Sequence, residues 1–254
     1  IMAAIDQKKI ERVGELLRNS EYTACLTGAG VSTASGIPDF RTPGKGLWAN
    51  VDPIVVSSIE AFQENPARFY QFYVPRILEL SEVSPNPAHY ALARLESSGY
   101  LKVLITQNID NLHQKAGSQN VLEIHGNLSQ AICARCGKKI SSQQLLEKIE
   151  NSERKIPYCT CGGVFKPDVV LFGEMLSNLE EAVAEASKAD LFLAIGSSLQ
   201  VSPANLLPEY SLARQGELII INYMETHLDS RATVVVKQDI GTFLSEVCKY
   251  MKIW

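Results

Sequence analysis

The chain has 254 residues, 46% of them hydrophobic and 20% charged, with a formal net charge of −4. It is long enough to bury a sizeable core, and its acidic balance gives no general electrostatic reason to hold nucleic acid or a membrane surface. No apolar run approaches the roughly 18 residues of a membrane span, and the first residues mix Lys8, Lys9, Glu11 and Arg12 with apolar side chains at helical spacing rather than as a secretory leader, so the expected compartment is the cytoplasm.

Beyond that stretch, short apolar runs alternate with amphipathic ones. Tyr22–Thr27, Lys102–Thr106, Val121–Ile124, Val169–Phe172, Leu191–Ile195 and Leu218–Ile221 read as buried strands, and Ala88–Leu95, Leu179–Ser187 and Ala204–Arg214 carry helical periodicity. Strands alternating with helices predict a mostly parallel α/β sheet covered on both faces, which binds ligands at the carboxyl ends of its strands. The residues just after each strand therefore carry the functional reading.

The first strand ends in Thr27-Gly28-Ala29-Gly30-Val31-Ser32, with Gly36 further on. Glycines there let a backbone approach a pyrophosphate, and a following helix N-terminus would add unpaired N–H donors. The third glycine comes late for a hydride-transfer fingerprint, and the acid expected about 20 residues on is missing. The irregular stretch from Arg41 to about Ser58 predicts a lid or binding loop. After the second strand comes Gln107-Asn108-Ile109-Asp110-Asn111-Leu112-His113, and after the third His125-Gly126. Amides, a carboxylate and an imidazole at two strand ends would line one crevice; His125 is the natural general base near neutral pH, whereas His113 reads as an ordinary helical residue. Gly196-Ser197-Ser198 and Asn222 follow the later strands, placed to meet phosphate or ribose hydroxyls.

Residues 130–168 break the alternation and predict an insertion with its own small core. Cys133 and Cys136 form a C-x-x-C pair, and Cys159 and Cys161 a C-x-C pair. Four thiolates at this separation suit a tetrahedral Zn²⁺ whose closed shell leaves no place for water, so the metal is structural. The segment holds seven Lys and Arg against four Asp and Glu, but no aromatic platform accompanies them, which leaves nucleic-acid binding without support. Cys25 and Cys248 read as small buried hydrophobes.

Taken together and in order, these stretches resemble the sirtuins, the NAD-dependent protein lysine deacylases. The match runs through Gly28–Ser32, Gly36-Ile37-Pro38-Asp39-Phe40-Arg41, Thr106–Asp110, His125-Gly126, the cysteine pairs, Val170-Leu171-Phe172-Gly173-Glu174, Gly196–Val201 and Asn222. The resemblance implies a Rossmann-like domain (1–129 and 169–254, with an insertion at about 41–90 contributing to a small domain) and a zinc-binding module (130–168). It implies NAD as co-substrate, with Gly28, Ala29 and Gly30 at the pyrophosphate, Gly196, Ser197, Ser198 and Asn222 around the adenosine half, and Ile240 at the adenine. Phe40 would cover the nicotinamide ribose and Arg41 would sit beside the phosphates. Gln107 would bind that ribose, Asn108 and Asp110 the carboxamide, and His125 would act as base. Val170, Phe172, Gly173, Glu174 and Val201 would line an acyl-lysine tunnel, with an acylated protein or peptide as partner. Tyr73 and Arg76 have the Tyr-x-x-Arg spacing that resembles a clamp for acidic acyl groups, so desuccinylation or demalonylation stands as an alternative to deacetylation, as does mono-ADP-ribosyl transfer.

Overall fold

The computed structural model describes residues 6–39 and 52–254. Helix α1 (Gln7–Asn19) leads into β1 (Thr23–Thr27) and two 3-10 turns, Ala29–Val31 and Thr33–Ser35. Helices α2 (Pro53–Ser57), α3 (Ile59–Glu64), α4 (Pro66–Glu82) and α5 (Pro87–Ser97) precede β2 (Val103–Thr106), α6 (Leu112–Lys115) and β3 (Val121–Glu123). A small unit of β4 (Gly126–Cys133), β5 (Lys139–Ser141), α7 (Ser142–Glu150) and β6 (Phe165–Val169) follows. The chain ends with α8 (Leu179–Lys188), β7 (Leu191–Ile195), α9 (Leu207–Leu212), β8 (Glu217–Ile221), β9 (Val234–Val236) and α10 (Ile240–Tyr250).

Side chains alternate across a strand, so a continuous apolar run needs cover on both faces. Cys25, Leu193, Ile195, Ile219 and Ile221 pack with Val13 and Leu17 of α1, Leu92 of α5 and Phe243 and Val247 of α10. Their neighbours Ala24, Leu26, Phe192, Ala194, Leu218 and Ile220 face the other way, onto Ala182 and Ala186 of α8 and Leu207 of α9. The six parallel strands lie in the order β3-β2-β1-β7-β8-β9. Cys25 and Cys248 are fully buried in this core, and burial pushes the Cys248 thiol up to about 12.

Several sequence expectations need correction. Val169–Phe172 is no strand of the main sheet: Val169 closes β6 of a separate antiparallel sheet, β5-β4-β6, and Phe172 makes only an isolated bridge with Ser58. The sixth main strand is instead β9. Residues 130–168 do not have a core of their own. Leu128, Ala131, Ile140, Leu145, Ile149 and Phe165 share one with Phe62, Phe69, Tyr70, Tyr73 and Ile77 of α3 and α4. The aromatic rings interlock there, Phe69 stacking on Tyr73 at 4.3 Å and meeting Phe62 edge-on at 5.1 Å, while the Tyr70 hydroxyl donates to the Phe165 carbonyl at 2.5 Å. Within the stretch read as a lid, residues 53–57 form the short helix α2, capped by Asp52. Helix α4 begins with Pro66 behind the Asn65 cap and carries Pro75 within it.

Candidate active site and metal module

The strand order reverses between β1 and β7, the point at which sheets of this type open a crevice at their carboxyl ends. Two glycine turns meet there. Gly28 N–H donates to the Ile195 carbonyl at 3.0 Å, Gly30 N–H to the Gly196 carbonyl at 2.9 Å, and Gly196 N–H to the Ile221 carbonyl at 2.9 Å. Gly196 has φ +63, and a Cβ there would lie 2.5 Å from the Val31 nitrogen, so only glycine lets the turns touch. The turn after β1 enters 3-10 geometry rather than the α-helix expected from the sequence, and the Gly30 N–H is already engaged by Gly196.

A cavity of about 600 Å³ opens beside these turns. Gln107, Asn108 and Asp110 reach it from the end of β2 and His125 from the end of β3. Asn108 Nδ2 donates to the Gly28 carbonyl and to Ser32 Oγ, both at 3.1 Å, which leaves its amide oxygen as the group it can offer a ligand. Asp110 is held at both oxygens: Oδ2 accepts from Ser32 Oγ at 2.6 Å and Oδ1 from the Leu112 N–H at 2.9 Å. Gln107 Oε1 accepts from Ser197 Oγ at 2.7 Å, joining the ends of β2 and β7.

His125 Nδ1 lies 2.8 Å from the Gln107 carbonyl. A carbonyl only accepts, so Nδ1 carries the proton and Nε2 is the bare base. Burial holds the imidazole below its usual pKa, partly opposed by that hydrogen bond, and keeps it neutral at neutral pH.

Val170, Phe172, Gly173, Glu174 and Val201 line the same cavity. The Glu174 carboxylate is engaged by Lys166 Nζ at 2.8 Å and by the Leu171 N–H at 2.9 Å, which fixes the turn. Tyr73 and Arg76 line the same cavity. The Tyr73 hydroxyl is paired with Ser57 Oγ at 2.7 Å, and burial pushes it up to about 12. Arg76 lies over the Phe72 ring, 3.4 Å from its centroid, and donates from Nη1 to the Phe72 carbonyl at 2.5 Å.

Away from the cavity, the sulfurs of Cys133, Cys136, Cys159 and Cys161 all lie within 4.8 Å of one another. Cys133 and Cys161 are 3.6 Å apart, and Cys136 and Cys159 are 3.8 Å apart. Tetrahedral Zn²⁺ with bonds near 2.3 Å sets its sulfurs about 3.8 Å apart, so the donor set fits the ion. Backbone N–H groups pull two of the thiols down, that of Cys136 acting on Cys133 and that of Cys161 bringing Cys159 to about 6. Burial and the three neighbouring sulfurs push Cys161 up to about 11, so the cluster favours some thiolates but needs a cation to hold four.

Residues 28–203 match the model of the Sir2 family. The NAD-dependent protein deacetylase of Saccharolobus solfataricus is 49% identical, over 95% of this chain and 97% of its own. That of Sulfurisphaera tokodaii is 50% identical, over 95% and 96%. The chain belongs to the Sir2 family. Among solved structures, a Sir2 protein with deacetylated p53 peptide and 3′-O-acetyl-ADP-ribose superposes on this Sir2-family chain with a TM-score of 0.90, at 40% identity, covering 95% of this chain and 98% of the other. A Sir2 with p53 peptide and NAD⁺ gives 0.88 at 40% identity, covering 96% and 99%.

The Sir2-family chain thus gathers Gly28, Ala29, Gly30, Gln107, Asn108, Asp110, His125, Gly196, Ser197, Ser198 and Asn222 around one cavity with the expected tunnel residues. Ile240 is not brought there. Its side chain is buried in the main core at the start of α10, where Asp239 caps the helix through the Thr242 N–H. Phe40 and Arg41 lie outside the described residues. Sequence reasoning did not single out Ser32, which bridges Asn108 and Asp110, nor His89 and His113, whose rings lie 4.9 Å apart beside it. His113 lies on the helix α6, as expected, and is 1% exposed. For His89 there was a local signal: Asn86-Pro87 opens α5, and His89 completes its capping box by accepting the Asn86 N–H at 3.2 Å.

Proposed function

We propose that this Sir2-family chain is an NAD-dependent protein lysine deacetylase that yields nicotinamide, free lysine and O-acetyl-ADP-ribose. The observation that carries the reading is His125: a neutral imidazole, its tautomer set by the Gln107 carbonyl, lining a cavity shared by two glycine turns and an amide–carboxylate cluster. The names of the relatives and the peptide and NAD⁺ held by the matching Sir2 structure support it.

The interlocked glycines form a cradle that a Cβ would fill, which suits a dinucleotide. We assign Gly28, Ala29 and Gly30 to its pyrophosphate side, Gly196, Ser197, Ser198 and Asn222 to its adenosine half, and Gln107, Asn108 and Asp110 to the nicotinamide riboside. Ile240, buried in the core, is left out of this assignment. When bound, NAD supplies the ribose carbon that takes the acyl oxygen as nicotinamide departs. Asn108 and Asp110, immobilised through Ser32, orient that reacting end, and His125 Nε2 takes the proton of a ribose hydroxyl. Val170, Phe172, Gly173 and Val201 wall the acetyl-lysine side chain, and its peptide backbone adds as a strand along the cleft. Glu174 holds the turn that carries Gly173. Zn²⁺ on the four cysteines stabilises the small unit without entering the chemistry.

We further read residues 1–129 and 169–254 as the NAD-binding unit and 130–168 as the metal-bearing one, the latter completed by α3 and α4 through their shared core. Among the described residues no helix is long and apolar enough to cross a membrane. Four free thiols grouped for one metal fit a reducing compartment, and we place the enzyme in the cytoplasm.

Acetyl comes before acidic acyl groups because Tyr73 and Arg76 already have partners of their own, Ser57 and Phe72. One observation favours the second reading: the buried Nε of Arg76 has no partner among the described residues. Incubation with acetyl-lysine and succinyl-lysine peptides, with and without NAD, followed by mass spectrometry, tests both. NAD-dependent loss of acetyl with nicotinamide and acetyl-ADP-ribose is expected. A faster succinyl reaction would promote the clamp, NAD cleavage without peptide change would favour ADP-ribosyl transfer, and intact NAD would refute the reading.

A further inference from the structure

His113 is almost fully buried on α6, behind the polar cluster rather than in it. Its Nε2 lies 2.9 Å from Thr27 Oγ1. The Thr27 hydroxyl donates to Thr106 Oγ1 at 2.9 Å, and the same oxygen accepts the Asn108 N–H at 3.1 Å. Thr27 and Thr106 are register partners at the last positions of β1 and β2. The chain of bonds therefore runs across the two strand ends that deliver Gly28 and Asn108 to the cavity.

The direction of the chain follows from donor bookkeeping. Because Thr27 gives its proton to Thr106, its oxygen is left to accept from His113, so Nε2 carries the hydrogen. Nδ1 has no partner among the described residues, and in this tautomer it is a bare lone pair rather than an orphaned N–H. Burial, reinforced by the neighbouring His89, pushes the ring down to about 3, so it stays neutral and keeps this single donor. An aliphatic side chain would fill the site without burying an unsatisfied nitrogen. What the imidazole adds is the proton aimed at Thr27.

Asn108 is thus tied from two sides. Its side chain is fixed by Gly28 and Ser32 and its backbone by Thr106. We propose that His113 is a positioning residue: acting through Thr27 and Thr106, it fixes the backbone of Asn108 and so the point at which that side chain meets the reacting end of the dinucleotide. The inference rests on the role given to Asn108 above, but the fixing of its backbone is testable apart from turnover.

The test uses His113→Gln, which can keep a donor near the place of Nε2, His113→Met, which fills the space without one, and the near-isosteric Thr27→Val. Backbone amide exchange at Asn108 is followed by NMR, alongside the melting temperature and kcat and KM for an acetyl-peptide. Losing one hydrogen bond is worth about ten-fold in such a local equilibrium. His113→Met and Thr27→Val should each speed Asn108 exchange and lower kcat by about that factor, with KM for the peptide unchanged. His113→Gln should restore both. The double variant should be no worse than either single one, because the chain is already cut. The proposal is overturned if Asn108 exchange does not change, if His113→Gln behaves like His113→Met, or if the loss in each variant simply follows its melting temperature. A wild-type chain that leaves NAD and acetyl-peptide intact would instead remove the functional reading, while the exchange data still decide whether His113 fixes Asn108.

Discussion

Replacing His125 by asparagine separates the two jobs of the imidazole. Its Nδ1–H donates to the Gln107 carbonyl at 2.8 Å, a bond that the asparagine amide nitrogen can reproduce, whereas the bare Nε2 has no counterpart in the variant. A positioned general base contributes about 10²–10⁴ in rate, or roughly 2.7–5.4 kcal/mol of barrier, and kcat should fall by that factor. Affinity for NAD should change little, because burial already holds the imidazole below its usual pKa and neutral at pH 7, so no charge is lost from the cavity. The same shift sets the pH profile. The base must be unprotonated, and burial holds its pKa below the usual imidazole value of 6.5, so wild-type activity should be flat through neutrality and fall only as pH drops below that value. The assay is steady-state release of nicotinamide with an acetyl-peptide, paired with calorimetric titration of NAD. A variant with kcat within ten-fold of wild type, or one that keeps the acid limb of the profile, would refute the assignment of Nε2 as the base.

Further tests address the scaffold around that base. Chelation of the metal, or Cys136→Ser, should lower the melting temperature by several degrees and unravel β4–β6 before the main sheet, read by hydrogen exchange of the two sheets separately. Gly196→Ala places a Cβ 2.5 Å from the Val31 nitrogen at φ +63, so NAD affinity should drop by more than about ten-fold while the zinc content stays at one per chain. The buried imidazoles make stability acid-sensitive: burial lowers His89 to about 4 and His113 to about 3, both below 6.5, so the unfolded chain binds protons that the folded one refuses. Stability should therefore decline as pH falls from 6.5 towards 4, by roughly 3 kcal/mol or more, with His113→Met losing part of the slope in urea titrations at a series of pH values.

Much of the fold was legible because the central strands leave little choice. A run such as Leu218–Ile221, apolar at every position, fits only a strand covered on both faces, and the residues after it fall at a sheet edge where ligands bind. The misreadings have the same physical root. Val169–Phe172 has the composition of such a strand, but its backbone is drawn off by Ser57, whose carbonyl accepts the Phe172 N–H, and by His125, whose carbonyl accepts that of Val170. The true neighbouring strand, Phe165–Val169, hides behind Pro167, which an edge strand tolerates. Val234–Val236 is too short to show a period. In the site, residues at strand ends could be read from position alone. Ser32 and His113 could not, and His89 only as a cap, because their importance lies in contacts between segments 57 or more residues apart, such as Ser32 with His89 and Asp110 and His113 with Thr27.

The acyl preference turns on a balance that the Tyr-x-x-Arg spacing does not reveal. Turning Nη1 to a carboxylate would cost Arg76 its place over the Phe72 ring, worth about 0.5–2 kcal/mol, and its bond to the Phe72 carbonyl, worth about 0.5–1.5 kcal/mol. The Tyr73 hydroxyl must likewise leave Ser57 or share its proton. Against this, hydrogen bonds to a charged group are worth about 1.5–3 kcal/mol each, and an acid in a largely apolar pocket also pays its own desolvation. The two sides nearly cancel, so the motif by itself confers no strong demand for an acidic group. An acetyl group disturbs neither partnership and adds no charge to desolvate. For this chain, then, the neutral acyl group has the lower threshold, while the Nε of Arg76, without a partner among the described residues, is a donor an acidic group could take without displacing a partner.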